Sequence, residues 1–194
     1  VYGTEAVVED VFGPVENVVA QAVDYKTITL TWDAVEDAQS YIVERFTAEG
    51  EWIEVDTTTE TTYTATGVKT GKEYTYRVTA LNGEETATSE EVKVTPMLSG
   101  EVELSIAMNG TTKFDLTWTA VDGATRYIVY RKYSDSEWKK ILTLGKDDRS
   151  YTSKEMKPNT YQYMVKAARY DSVERVQTNG SNVVEGIVGA AEMK

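Results

Sequence analysis

The side chains that most often carry chemistry are missing from this sequence, which has no His and no Cys in 194 residues. Without imidazole or thiol there is no Ser–His–Asp or Cys–His arrangement, no imidazole or thiolate metal site and no disulfide. Carboxylates, Lys, Tyr, Ser and Thr are left. Asp33, Glu36 and Asp37 form one acidic group and Asp147-Asp148 another. Calcium takes about six to eight oxygens in a defined spacing, as in an EF-hand loop, and neither group has that spacing. Paired carboxylates also cleave glycosidic bonds, but only across a cleft that holds the sugar between them. No catalytic residue, cofactor or metal ligand is therefore expected, and the chain reads as a non-enzyme.

Charge narrows the partners. Residues 1–98 hold 6 Lys+Arg against 19 Asp+Glu, and residues 99–194 hold 14 against 13. The acidic half would repel phosphates, which argues against nucleic acid and anionic membrane surfaces. No apolar run approaches the ~20 residues of a membrane helix, so no membrane insertion is expected.

The elements that would position any site come from a repeat. Trp32, Tyr41 and Trp52 recur 86 residues later as Trp118, Tyr127 and Trp138. Tyr74, Tyr76, Val78 and Ala80 recur 87 residues later as Tyr161, Tyr163, Val165 and Ala167. Within each copy the apolar period is two. Ile28, Leu30 and Trp32 share one face of a strand, as do Phe114, Leu116 and Trp118. Turn residues separate the runs, at Asn82-Gly83, Asn109-Gly110, Lys69-Thr70-Gly71, Lys157-Pro158-Asn159 and Asn179-Gly180. About seven strands per copy, with no convincing amphipathic helix, predict an all-β fold of two sandwiches in tandem.

Each copy resembles a fibronectin type III domain. The first carries Pro14, Trp32, Tyr41-Ile42-Val43, Trp52 and the run Val68 to Ala80. The second carries Trp118, Tyr127-Ile128-Val129, Trp138 and the run Met156 to Ala167. The resemblance covers about 170 residues and is of the kind found in secreted or surface bacterial proteins. It implies that Trp32 and Trp118 lie between the sheets. It also implies that Tyr74 and Tyr161 occupy the tyrosine corner, with a hydroxyl bonded to main chain a few residues upstream. A sandwich of this size has a filled interior and no room for a catalytic cleft. The family's Arg-Gly-Asp loop is absent from both F–G segments.

The boundaries expected are residues 1–13 as a leader or remnant strand of an upstream domain, 14–96 as domain 1, 97–188 as domain 2 with 97–100 as linker, and 189–194 as a tail. Partner contacts are expected on the second copy, either on the solvent face of its C–F–G sheet or on its long F–G segment. Alternation turns Ile128, Tyr130, Lys132 and Met164 outward, with Trp138 beside them. The F–G segment offers Arg169, Tyr170 and Arg175. Candidate contact residues are thus Tyr130, Trp138, Met164, Arg169, Tyr170 and Arg175. The expected function is a non-catalytic spacer or adhesion module of a larger secreted or cell-surface protein, monomeric or part of a longer multidomain chain. Two alternatives stand beside it, a module binding a glycan or protein partner through those residues and an accessory region of a polysaccharide-degrading enzyme.

Overall fold

In the computed structural model the described residues are 12–170, 175–178 and 180–189. They contain strands and turns and no helix. The chain divides into two compact units, with the main division between Pro96 and Met97 and with Lys69–Gly71 grouped with the second.

The first unit holds β1 (Val19–Asp24), β2 (Thr27–Thr31), β3 (Ser40–Phe46), β4 (Trp52–Thr58), β5 (Thr62–Thr66), β6 (Tyr74–Asn82), β7 (Glu85–Thr88) and β8 (Val92–Val94). One sheet has the order β1-β2-β5, the other β4-β3-β6-β7 with β8 also paired to β6. The second unit repeats the plan with β9 (Leu104–Asn109), β10 (Lys113–Trp118), β11 (Arg126–Tyr133), β12 (Lys139–Gly145), β13 (Ser150–Thr152), β14 (Asn159–Tyr170), β15 (Arg175–Gln177) and β16 (Val184–Val188). Its sheets are β13-β10-β9 and β12-β11-β14-β15, with β16 also on β14. Every pairing is antiparallel. These are two fibronectin type III-like sandwiches, in which β3, β6 and β7–β8 correspond to strands C, F and G, as do β11, β14 and β15–β16.

The expected seven strands become eight segments because the last strand of each unit is broken. In the first unit Ser89 stands in the gap between β7 and β8, and its hydroxyl accepts the Val78 amide at 3.0 Å while donating to the Glu90 carbonyl at 2.7 Å. A side chain takes the place of a ladder carbonyl there, which period-two reading does not detect.

Alternation fills each interior. Ile28, Leu30, Trp32, Tyr41, Val43, Tyr76, Val78 and Ala80 form the first core. Phe114, Leu116, Trp118, Tyr127, Val129, Tyr163, Val165 and Ala167 form the second. Trp32 and Trp118 are each 5% exposed, as the resemblance implies. Tyr41 and Tyr127 pack on them at 5.5 and 6.0 Å between ring centroids. Each of these tyrosines also ties the turn after the tryptophan strand to the core, accepting the amide of Val35 or Val121 at 2.9 Å. At the corner of the second unit, the Tyr161 hydroxyl donates to the Lys157 carbonyl at 3.0 Å.

Candidate interaction surface

The solvent face of the sheet formed by β11, β12 and β14 is set by register. Tyr130 stands opposite Met164 on one side and Lys140 on the other, and Ile128 stands opposite Lys166 and Thr143. Directly paired residues share a face, so Tyr130, Lys140, Met164 and Lys166 lie together. Trp138 sits one residue before β12 rather than within it. The Lys132 ammonium lies 5.3 Å from the Trp138 ring centroid, and the Lys166 ammonium 5.8 Å from that of Tyr130. Lysine stems on aromatic faces bury apolar carbon while the charged heads stay wet.

Ile128 turns away from the core side but is fully buried. It lies in the middle of the row, next to the long side chains of Tyr130 and Lys166, so outward alternation did not mean exposure. Met164 is only half-buried. It packs over Gly180, where a Cβ would lie 2.7 Å from the Met164 sulfur.

The six candidate contact residues form two groups. Tyr130, Trp138 and Met164 belong to the sheet face just described. Arg169 and Tyr170 lie at the far end of β14, about 17 and about 20 Å from Met164 at ~3.3 Å per residue. There the Arg169 Nη1 donates to the Gly123 carbonyl at 2.9 Å, and the Tyr170 amide donates to Thr125 Oγ1 at 3.0 Å. Arg169 thus anchors the hairpin to the turn before β11, whereas the Tyr170 side chain is 41% exposed. Arg175 pairs with Tyr170 through the main chain, and its side chain falls outside the described residues, as do residues 171–174. Sequence reasoning passed over Lys140 and Lys166. Lys166 shares the parity of Met164 on β14, and that signal was available.

The equivalent face of the first unit is a useful comparison. Glu44, Phe46, Glu54, Arg77 and Thr79 stand where the second unit has Tyr130, Lys132, Lys140, Met164 and Lys166. Arg77 there is neutralised, with its Nε 2.7 Å and its Nη2 2.9 Å from the Glu44 carboxylate. That hydrogen bond strengthens the guanidinium's hold on its proton, and the group stacks 4.3 Å from the Trp52 ring centroid. In the second unit Lys132, Lys140 and Lys166 have no carboxylate within ion-pair distance among the described residues.

The acidic groups considered for calcium have other roles. Asp33 accepts from the Asn17 side chain at 2.7 Å, and with Glu16, Glu36, Asp37 and Glu85 it lines a surface depression. Asp148 caps its turn by accepting the Gly145 amide at 2.7 Å. Among the described residues no three acidic groups are arranged to hold a metal ion. Asn109, in a formal glycosylation sequence, donates to both oxygens of Asp115 at 3.1 and 3.0 Å.

Residues 13–95 match the family model described as fibronectin type III domain. Among curated proteins the chain is similar to mouse Tenascin-N, 29% identical over 152 residues, 77% of this chain. The match covers 10% of that relative's length. Among solved structures it is similar to a two fibronectin type-III domain segment from chicken tenascin, at 15% identity and TM-score 0.56, covering 91% of this chain and 99% of that one. It is also similar to the FN1–FN3 domains of chicken CNTN1, at 16% identity and TM-score 0.45, covering 92% and 67%. The class defined by fold and comparison is a tandem of fibronectin type III-like sandwiches. Among the described residues no helix is long and apolar enough to cross a membrane.

Proposed function

We propose that this chain is a non-catalytic spacer or adhesion module of a larger extracellular or cell-surface protein. The observation that carries the proposal is the filled interior of both units. Tyr, Trp, Val and Leu side chains occupy the space between the sheets, and no carboxylate or lysine is among the buried residues described. A fold of this kind holds neighbours at a distance and offers sheet faces and loops for contact. Tandem repetition, and a match to a tenth of a much longer relative, fit a module within a larger chain.

A second reading places a glycan or protein contact on the sheet face of the second unit. It is favoured by Lys132, Lys140 and Lys166, which lack carboxylate partners among the described residues. The alternative of an accessory region of a polysaccharide-degrading enzyme differs from the first only in what lies beside it. A glycan array probed with the chain and with Trp138→Ala tests these readings. Absence of binding is expected for the spacer. Binding lost on Trp138→Ala replaces it with the second reading, and binding that survives the substitution excludes this face as the contact.

A further inference from the structure

We infer that β5 is a self-complementary edge through which two copies of this chain pair, adding strand to strand across a two-fold axis. It departs from the monomer expected above, and it does not depend on the spacer reading. Among the described residues the edge strands are guarded in different ways, the broken last strands by Glu85, Lys93, Arg175 and Glu185, and β5 lacks such guards. β4 carries Glu54 and Asp56 and is itself bulged at Val55, between the partners of Val43 and Glu44. β12 begins with Lys139 and Lys140. β1 ends in a register shift at Asp24. On β9 the Asn182 side chain donates to the Leu104 carbonyl at 2.9 Å and accepts its amide at 2.8 Å, occupying the outer edge. β13, the counterpart of β5, is only 3 residues long. Charges, bulges, short strands and caps of this sort are how natural sheets prevent unwanted strand addition.

β5 has none of them. It runs Thr62-Tyr63-Thr64-Ala65-Thr66, with no charge and no proline, in unbroken register with β2 and, among the described residues, with no strand on its other side. The Trp32 amide donates to the Thr61 carbonyl at 3.1 Å. Main-chain groups alternate in direction along an antiparallel strand. Tyr63 and Ala65 therefore point theirs at β2, and Thr62, Thr64 and Thr66 point theirs at the open edge. The three threonine side chains on the outer face are exposed. They continue a row begun by Thr27, Thr29 and Thr31, which pair with Thr66, Thr64 and Thr62. Next to them on β1 lie Val19 and Gln21, opposite Thr31 and Thr29. Asp24 stands opposite Thr27 at one corner of this face, but the threonines of β5 and their partners on β2 carry no charge, in a half with 19 acidic residues.

The sequence of β5 reads the same about Thr64 in its threonines. A two-fold axis through Thr64 places Thr64 opposite Thr64 of the second copy, and Thr62 opposite Thr66 of the second copy. These are the residues whose main-chain groups face outward, so each pair exchanges two hydrogen bonds in good register. Tyr63 falls opposite Ala65, and Glu60 opposite Val68, so no like charges meet within the paired segment. Such an isologous contact closes at two copies and does not propagate. The overall charge of −12 on each copy opposes the approach, so pairing strengthens as salt screens that repulsion.

Sedimentation velocity of the whole chain over a concentration series, at low and moderate salt, tests the inference. A monomer that converts to dimer with rising concentration, and more readily at moderate salt, is expected. Thr64→Pro removes the outward amide without touching the ladder to β2 and is expected to abolish the dimer. Thr64→Lys sets two ammonium groups opposite one another on the axis and is expected to do the same. It reads the inference even if the proline variant loses its fold. Thr29→Lys, one strand inward on the same face, is expected to leave dimerisation intact. In hydrogen exchange the amides of Thr62, Thr64 and Thr66 are expected to slow as concentration rises, while those of Tyr63 and Ala65 do not change. A chain that stays monomeric throughout, or a dimer that persists in folded Thr64→Pro or Thr64→Lys, overturns it.

Discussion

The Ser181 hydroxyl accepts the Val165 amide at 2.9 Å, across the gap where β15 has ended and β16 has not begun. The same hydroxyl donates to the Asn182 carbonyl at 2.6 Å. Ser89 and Val78 make the matching contact in the first unit. Both copies have thus kept one device for breaking the last strand without leaving an amide of the central strand unpaired. Replacing Ser181 by Ala leaves the Val165 amide without its acceptor, at a cost of about 1–3 kcal/mol. Urea unfolding of Ser181→Ala and Ser89→Ala measures it. A loss below a few tenths of a kcal/mol at both positions would mean that water or a shifted main chain replaces the hydroxyl.

The turn after each tryptophan strand is held by one tyrosine hydroxyl. Tyr127→Phe removes the acceptor of the Val121 amide, in a buried setting. Tyr41→Phe does the same for Val35, in a part-buried one. Water can reach the second site more easily. The expected losses are about 1–2 kcal/mol at Tyr127 and less at Tyr41. Equal losses by thermal unfolding would show that burial does not set the difference.

How much of this was legible in the sequence depends on the kind of interaction. Trp32, Tyr41, Trp118 and Tyr127 repeat at fixed spacing and alternate with polar residues, so the cores and the two-sandwich fold could be read directly. The breaks at Ser89 and Ser181 could not, because a serine that replaces a ladder carbonyl looks like any loop serine. The full burial of Ile128 is not legible either, for a different reason. Alternation gives the face of a sheet on which a side chain lies, whereas burial depends on the length of its neighbours. The pairing of Glu44 with Arg77, and its absence at Tyr130 and Met164, needs cross-strand register, which the sequence does not print.

Gly186 lies on β16 with its α-carbon facing the core, and a Cβ built there falls against the Phe114 ring. The ring is fully buried, so neither partner can move outward without opening the core. Gly186→Ala is expected to destabilise the chain by about 1–3 kcal/mol, despite alanine's better strand propensity. A compensating Phe114→Leu, which frees ring volume, is expected to recover part of the loss in the double variant. Strict additivity of the two substitutions in thermal unfolding would argue against a direct clash.

Tyr76 is buried in the first core beside Tyr63, and burial is the main reason its phenol is pushed up to about 12. Tyr163 in the second core is raised for the same main reason. A phenol that ionises at about 10 in the unfolded chain and higher in the fold favours the fold while it stays neutral. Its contribution is complete below pH ~10 and is lost as pH rises through the folded value, because the unfolded chain then releases the proton first. Stability is therefore expected to fall steeply between pH ~10 and ~12. Tyr76→Phe has no proton to lose and is expected to flatten part of that fall, though the variant starts from a different stability at neutral pH. Denaturant midpoints of both proteins across that range, with tyrosinate absorbance followed in parallel, provide the check. If the two curves stay parallel, the ionisation of Tyr76 is not what unfolds the first unit in alkali.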